Sequence, residues 1–318
     1  MTLLAARLVD NPFDHDLFLP TVARVGALLA VAAVVVLIVE RKRLTDVRES
    51  SLFKKVLSWS VMAPAYLAAV FVGGPVAFLV VGFMIVQGLA EYGRLIGLRR
   101  RYSWLLLGSG VATFAFTGVL TQFFLLAPLA FFVIVTAFPI VTGDIADAHR
   151  QVTGSLFGYI YIPFMLSYLA FIKVLEFDGV EILVLTGIAV ALSDITAFTV
   201  GSLIGGPKLA PKISPNKTWA GAVGNLAGAY AGWVLMWFAI PGEWSLTTRL
   251  AVPAVTAVAA LYGDLTQSFV KRDFGVKDAG DLLPGFGGLL DRIDSFLVGL
   301  PLSYYAIVIS QHFTVGPR

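Results

Sequence analysis

The chain has 318 residues, 58% of them hydrophobic and only 14% charged, with a mean hydropathy of +0.85. Soluble domains carry about 25% charged residues, so this composition excludes an ordinary water-soluble domain and places the chain among membrane proteins. There is no cysteine, which rules out disulfides, thiolate metal sites and a thiol nucleophile; the net charge of +3 is small, and its distribution matters more than its size.

The first twenty residues hold Arg7 but also Asp10, Asp14 and Asp16, with no apolar core before Thr21. They do not read as a signal peptide, and the first helix is expected to be retained. Ten apolar segments follow, each long enough to span or nearly span a bilayer: 21–39, 56–72, 75–92, 104–121, 123–141, 156–175, 181–203, 219–240, 250–270 and 295–313. Only Gly73, Gly74 and Pro75 join the second and third, which predicts a tight helical hairpin. Almost nothing separates the fourth from the fifth, which leaves nine or ten helices open.

With the N-terminus outside, all but five of the 23 Lys and Arg residues fall on inside segments; the exceptions are Arg7, Arg24, Lys173, Arg249 and Arg318. The positive-inside rule therefore puts the loops after 203 and after 270 in the cytoplasm, where nucleotides are found. The expected fold is all-α: a polytopic integral membrane protein of about 9–10 transmembrane helices. The chain reads as one membrane domain, 1–318, with N-terminal helices over 1–180 and a catalytic region over 181–318 carrying two cytoplasmic motif loops.

In the front half, Gln87, Glu91 and Arg94 have the spacing of helix-end pairs. Asp144, Asp147 and His149 share a loop, but spacing alone is poor grounds for a metal cluster. None of the three histidines, His15, His149 and His312, has a convincing catalytic setting. Asp194 is different: it lies inside an apolar run and forms a polar notch with Ser193 and Thr196. Acids within membrane segments are functional candidates by default.

The loop from Gly201 to Asn225 is dense in Gly, Pro, Ser and Lys. Pro211, Pro215 and the Gly205-Gly206-Pro207 run forbid a continuous helix. Ser214, Pro215, Asn216, Lys217 and Thr218 lead into the next apolar segment, which Thr218 or Asn216 can cap. Lys217 beside that helix N-terminus makes a ready anion site.

The stretch from Ser268 to Asp294 packs bases, acids and glycines between two apolar segments. Lys271, Arg272, Lys277 and Arg292 are placed to hold phosphates. Lys271 and Arg272 also have the ordinary reading of snorkelling anchors at a helix end. Asp291 and Asp294 are three apart, so a helix starting near Leu289 puts both on one face of its first turn. Two like charges that close repel unless a cation sits between them, and Mg²⁺ takes oxygen ligands. Asp264 is a third candidate, about 9 Å into its helix from the cytoplasmic end; its plain alternative is an ion pair with a neighbouring Lys or Arg. Asp273 and Asp281 read as loop solvation.

This last stretch resembles the signature of the phosphatidate cytidylyltransferase (CDP-diglyceride synthetase) family. Ser268, Lys271, Arg272, Lys277, Asp278, Leu283, Pro284, Gly287, Gly288, Asp291, Arg292 and Asp294 all stand in its register. Phe286 stands where the family has His. The run from Ser214 to Trp219, preceded by Lys208 to Pro211, resembles a second hallmark of the family, with Ala220 where a Glu is usual. Asp194 followed by Ala197 and Phe198 resembles a third. The likeness is strong over about 181–300.

The resemblance implies transfer of CMP from CTP to phosphatidic acid, giving CDP-diacylglycerol and pyrophosphate. It implies Asp264, Asp291 and Asp294 as ligands of Mg²⁺, with K⁺ as an optional companion. It implies catalytic roles for Lys271, Arg272, Asp278 and Arg292, and substrate contacts for Asp194, Ser214, Lys217, Thr218, Ser268 and Lys277. The expected partners are CTP, phosphatidic acid and membrane lipids, with no nucleic acid and a homodimer among the possible assemblies. The expected location is the plasma or inner membrane, with the site facing the cytoplasm. Two alternatives stay open on the sequence. One is a related CTP-dependent enzyme acting on another membrane lipid; the other, favoured by Phe286 and Ala220, is a non-catalytic lipid- or nucleotide-binding membrane protein.

Overall fold

Inside a bilayer a backbone can satisfy its N–H and C=O groups only within its own helix or in a closed barrel. The apolar segments accordingly form helices in the computed structural model, which describes residues 11–39, 51–175, 178–276, 278–280 and 287–315. They are α1 (Phe18–Val39), α2 (Ser51–Phe71), α3 (Gly74–Leu95), α4 (Arg100–Thr117), α5 (Ala127–Thr142), α6 (Ala148–Tyr159), α7 (Met165–Leu175), α8 (Gly179–Ile204), α9 (Trp219–Leu235), α10 (Leu246–Asp273) and α11 (Leu290–Val315). A π-helical turn, Ile160–Phe164, joins α6 and α7 into one rod around Pro163. The all-α expectation is met, and each of the ten apolar segments has its rod.

Among the described residues, seven of these rods are long and apolar enough to cross a membrane. The other three are α2, whose apolar part is Val56–Phe71; α4, which opens on Arg100 and Arg101; and α9, which has 17 residues. Large apolar side chains such as Val31, Leu129, Val133, Val223 and Val234 point outward. On a multi-pass membrane protein that is the lipid-facing surface.

The sixth segment was expected from 156, but the helix begins at Ala148. Its first two turns are polar because they are held by loop groups rather than by lipid. Gln151 accepts from the Arg99 N–H at 2.8 Å. The 201–225 loop also holds more order than its composition suggests. It contains a short antiparallel ribbon, β1 (Lys208–Ala210) with β2 (Ser214–Thr218), pairing Lys208 with Thr218 and Ala210 with Ser214. In a two-stranded ribbon every strand is an edge, so Pro215 is tolerated.

Two close helix pairs frame the region where the motif loops meet. α9 presents Gly221, Gly224, Gly228 and Gly232 to α8, where added Cβ atoms would press on the backbone at Ala197, Thr196, Leu192 and Ile188. Small residues let membrane helices approach this closely, and Thr196 Oγ donates across the seam to the Gly224 carbonyl at 2.7 Å. α10 and α11 pack in the same way, with Thr256 and Ser303 hydroxyls 2.7 Å apart.

Candidate active site

The end of α10, the start of α11, the middle of α8 and the ribbon meet in one place, and they bring the predicted acids and bases together. α11 begins at Leu290, just after Gly287, whose φ of 81° suits glycine. Asp291 therefore lies on its first turn, and Asp294, expected there too, stands three residues on, just past that turn.

Asp291 is held on both oxygens. Lys271 Nζ donates to Oδ1 at 2.7 Å, while the N–H groups of Ala279 and Gly288 donate to Oδ2 at 2.9 and 3.4 Å. The Lys271 and Asp291 side chains are only 14% and 12% exposed, so the pair is largely desolvated. Asp294 is buried, at 8% exposure, and its Oδ1 accepts the Ser295 N–H at 2.8 Å. Ser295 in turn donates its hydroxyl to Asp194 Oδ1 at 3.2 Å. Asp264 forms an ion pair with Lys217 at 2.5 Å and accepts from Ser268 Oγ at 3.4 Å. Asp294 lies within electrostatic reach of Asp194, Asp264 and Asp291.

Four carboxylates thus share a region with two lysines. Oxygen-only donors in such acid excess suit a hard cation. Among the described residues, however, no three acids converge closely enough to hold an ion as they stand. Lys217 and Lys271 take up Asp264 and Asp291 instead. The donor chemistry fits Mg²⁺, while the present side-chain arrangement is that of ion pairs.

The remaining predicted residues have definite places. Thr218 caps α9, its Oγ accepting from the Gly221 N–H at 3.0 Å; of the two candidate caps it is the one used. Ser214 opens β2, opposite Ala210. Arg272 is exposed and ties α10 to the ribbon, donating from Nε to the Ile213 carbonyl at 3.3 Å. Asp278 is exposed, next to the Ala279 N–H that grips Asp291. Arg292 is half-buried on the first turn of α11. Lys277 and Phe286 lie outside the described residues.

Several neighbours were not foreseen. Gln267, on α10 between Asp264 and Lys271, is fully buried, and neither amide atom has a hydrogen-bond partner. Tyr161, in the π-helical turn, donates to the Gly263 carbonyl at 3.2 Å. Glu91 forms the expected i, i+4 pair with Gln87 and does more. It accepts from Gln87 at 2.9 Å and also reaches the N-terminus of α11, while Arg94 turns back to the Ala90 carbonyl. An acid inside an apolar segment was the available signal. Asp144, the weak metal candidate of the front half, instead pairs with Arg99 at 3.1 Å.

The fold is that of a multi-pass helical membrane protein in which carboxylates, lysines and a helix N-terminus meet. The chain belongs to the cytidylyltransferase family, whose defining pattern matches residues 53–310. It is similar to the phosphatidate cytidylyltransferase of Brucella abortus (strain 2308), 42% identical over 149 residues, covering 46% of this chain and 54% of that one. It is also similar to the phosphatidate cytidylyltransferase of Mycobacterium leprae (strain TN), 38% identical over 148 residues, covering 46% and 47%. A third relative is the uncharacterized protein YnbB of Escherichia coli (strain K12), 36% identical over 191 residues, covering 58% and 63%. The matched region spans about half the length of the first two relatives.

Proposed function

We propose that the protein transfers CMP from CTP to phosphatidic acid at the cytoplasmic face of the membrane, giving CDP-diacylglycerol and releasing pyrophosphate. The observation that carries this reading is the meeting of Asp194, Asp264, Asp291 and Asp294 with Lys217 and Lys271 at one end of the bundle. Two relatives named phosphatidate cytidylyltransferase are 42% and 38% identical to the chain over 149 and 148 residues.

The reaction asks little covalent chemistry of the protein. An oxygen of the lipid phosphate, already ionised at neutral pH, attacks the α-phosphorus of CTP. A P–O bond forms there, and the bond from the α-phosphorus to the bridging oxygen breaks, so that pyrophosphate leaves. No Ser or Cys nucleophile is required. Positioning and charge neutralisation therefore supply most of the rate.

Lys217, Lys271, Arg272 and Arg292 would neutralise the triphosphate and the lipid phosphate. Asp194, Ser214, Thr218, Ser268, Lys277 and Asp278 would contact the substrates. Asp264, Asp291 and Asp294 would hold Mg²⁺, which supplies Lewis-acid neutralisation of the triphosphate when bound. A site at the membrane boundary lets a diacyl lipid keep its tails among lipids while CTP arrives from water.

The test is pyrophosphate release in proteoliposomes with CTP, with phosphatidic acid present or omitted and the lipid product identified by mass. Release that requires phosphatidic acid is the expected result. Release with a different lipid alone would reassign the substrate, and none with any lipid of a panel would overturn the enzyme reading.

A further inference from the structure

Glu91 belongs to none of the family motifs. It sits near the C-terminal end of α3 and is 0% exposed. Its Oε1 accepts the Leu289 N–H at 3.0 Å and its Oε2 accepts the Leu290 N–H at 2.9 Å. The side-chain amide of Gln87 donates to Oε1 at 2.9 Å. The first N–H groups of a helix have no partner within it, and a carboxylate there is favoured by hydrogen bonding and by the helix dipole together. Such a cap normally comes from the residue just before the helix. Here it comes from another helix, about two hundred residues earlier in the chain.

The two oxygens take two successive N–H groups, so the carboxylate constrains both the depth and the rotation of the first turn of α11. Asp291 is the very next residue, and Asp294 is one turn on. The backbone leading into α11 is also moulded against Glu91. A Cβ on Gly280 would stand 2.8 Å from Glu91 Cγ and 2.9 Å from Cδ, and one on Gly288 would stand 2.5 Å from Oε2. Gly280 adjoins Ala279, whose N–H holds Asp291 Oδ2. Glu91 therefore stands directly behind the acid pocket, touching both backbone stretches that shape it.

We propose that Glu91 is a positioning residue for the reaction: by gripping the N-terminus of α11 it sets where Asp291 and Asp294 stand relative to the substrate phosphates. The proposal rests on the reading of this pocket as a phosphate-transfer site. A plain structural cap would lower stability and leave turnover per folded molecule alone. A positioning residue lowers kcat while KM for CTP changes little, because the phosphate-binding lysines are untouched.

The experiment uses the full chain in proteoliposomes, with Glu91→Gln, Glu91→Ala, Gly280→Ala and the Glu91→Ala/Gly280→Ala pair. Glu91→Gln keeps size and one acceptor, which guards against loss of folding. It is expected to lower kcat by ~10-fold or more, since small misplacement of reacting groups is costly. Amide exchange should quicken at residues 289–295. Gly280→Ala should act in the same direction, and in the Glu91→Ala background it should add nothing, because the three atoms nearest its Cβ all belong to Glu91. Wild-type kcat in Glu91→Gln, or a Gly280→Ala loss that persists without Glu91, would overturn the proposal. If the wild type itself transfers no CMP, the functional reading fails separately. The exchange measurement then still decides whether Glu91 holds α11: faster exchange confined to 289–295 supports it, and unchanged exchange refutes it.

Discussion

Gly263 of α10 lies against the backbone carbonyl of Asp294 on α11, with no space between them for a methyl group. This contact sets how closely the two helices approach, and it brings Asp264 of one within reach of Asp294 of the other. Gly263→Ala must push α11 outward, since the obstructing atoms are backbone. Overpacking of this kind costs about 1–3 kcal/mol. Thermal unfolding in detergent should show the loss, and turnover should fall with it. An unchanged melting temperature would mean that the helices are not held this tightly.

Asp291→Asn and Asp294→Asn should each lower turnover by about 10²-fold or more, the usual effect of removing one electrostatic stabiliser. Both variants should still insert and fold. Lys271 loses its charged partner in Asp291→Asn, so that variant should also be the less stable of the two. Full activity in either with excess Mg²⁺ would remove the carboxylates from the metal assignment.

Gln267 allows stability and function to be separated. A buried amide with no partner costs about 1–3 kcal/mol, so replacing it by an apolar group of similar size should stabilise the fold. Gln267 nevertheless lies between Asp264 and Lys271 on α10. Gln267→Leu is expected to melt at a higher temperature, and a slower turnover in the same variant would give its amide a task in the working site. A variant that gains stability with full activity would show that the amide has no such task.

The chain has no cysteine, so single introduced thiols report on topology directly. A Cys at Ser214 should react only with reagent on the cytoplasmic side, and one at Glu243 only from outside. Labelling of Ser214→Cys from the outer face would reverse the proposed orientation and the route of CTP entry.

The helices were legible in the sequence because their cause is local. An apolar run near the thickness of a bilayer must satisfy its own backbone, and that holds whatever it packs against. The spacing of Asp291 and Asp294 also placed both on one face of α11, because helical periodicity alone decides that. The start of α6 at Ala148 was missed because polar side chains bonded to a neighbouring loop replaced the apolar signal.

What joins distant parts of the chain was decided only by the tertiary structure. Lys217 with Asp264, Ser295 with Asp194, and Glu91 with Leu289 and Leu290 are all partners brought together by helix packing. The sequence by itself determined a multi-pass helical protein and the residue types of a phosphate site. The fold decided which lysine answers which acid, and that a buried carboxylate of α3 holds the helix carrying two of them. The physical reason is range: periodicity and hydropathy act over a few turns. Contacts across the bundle depend on how far small faces such as Gly263, Gly280 and Gly288 let the backbones close, a property of two surfaces together.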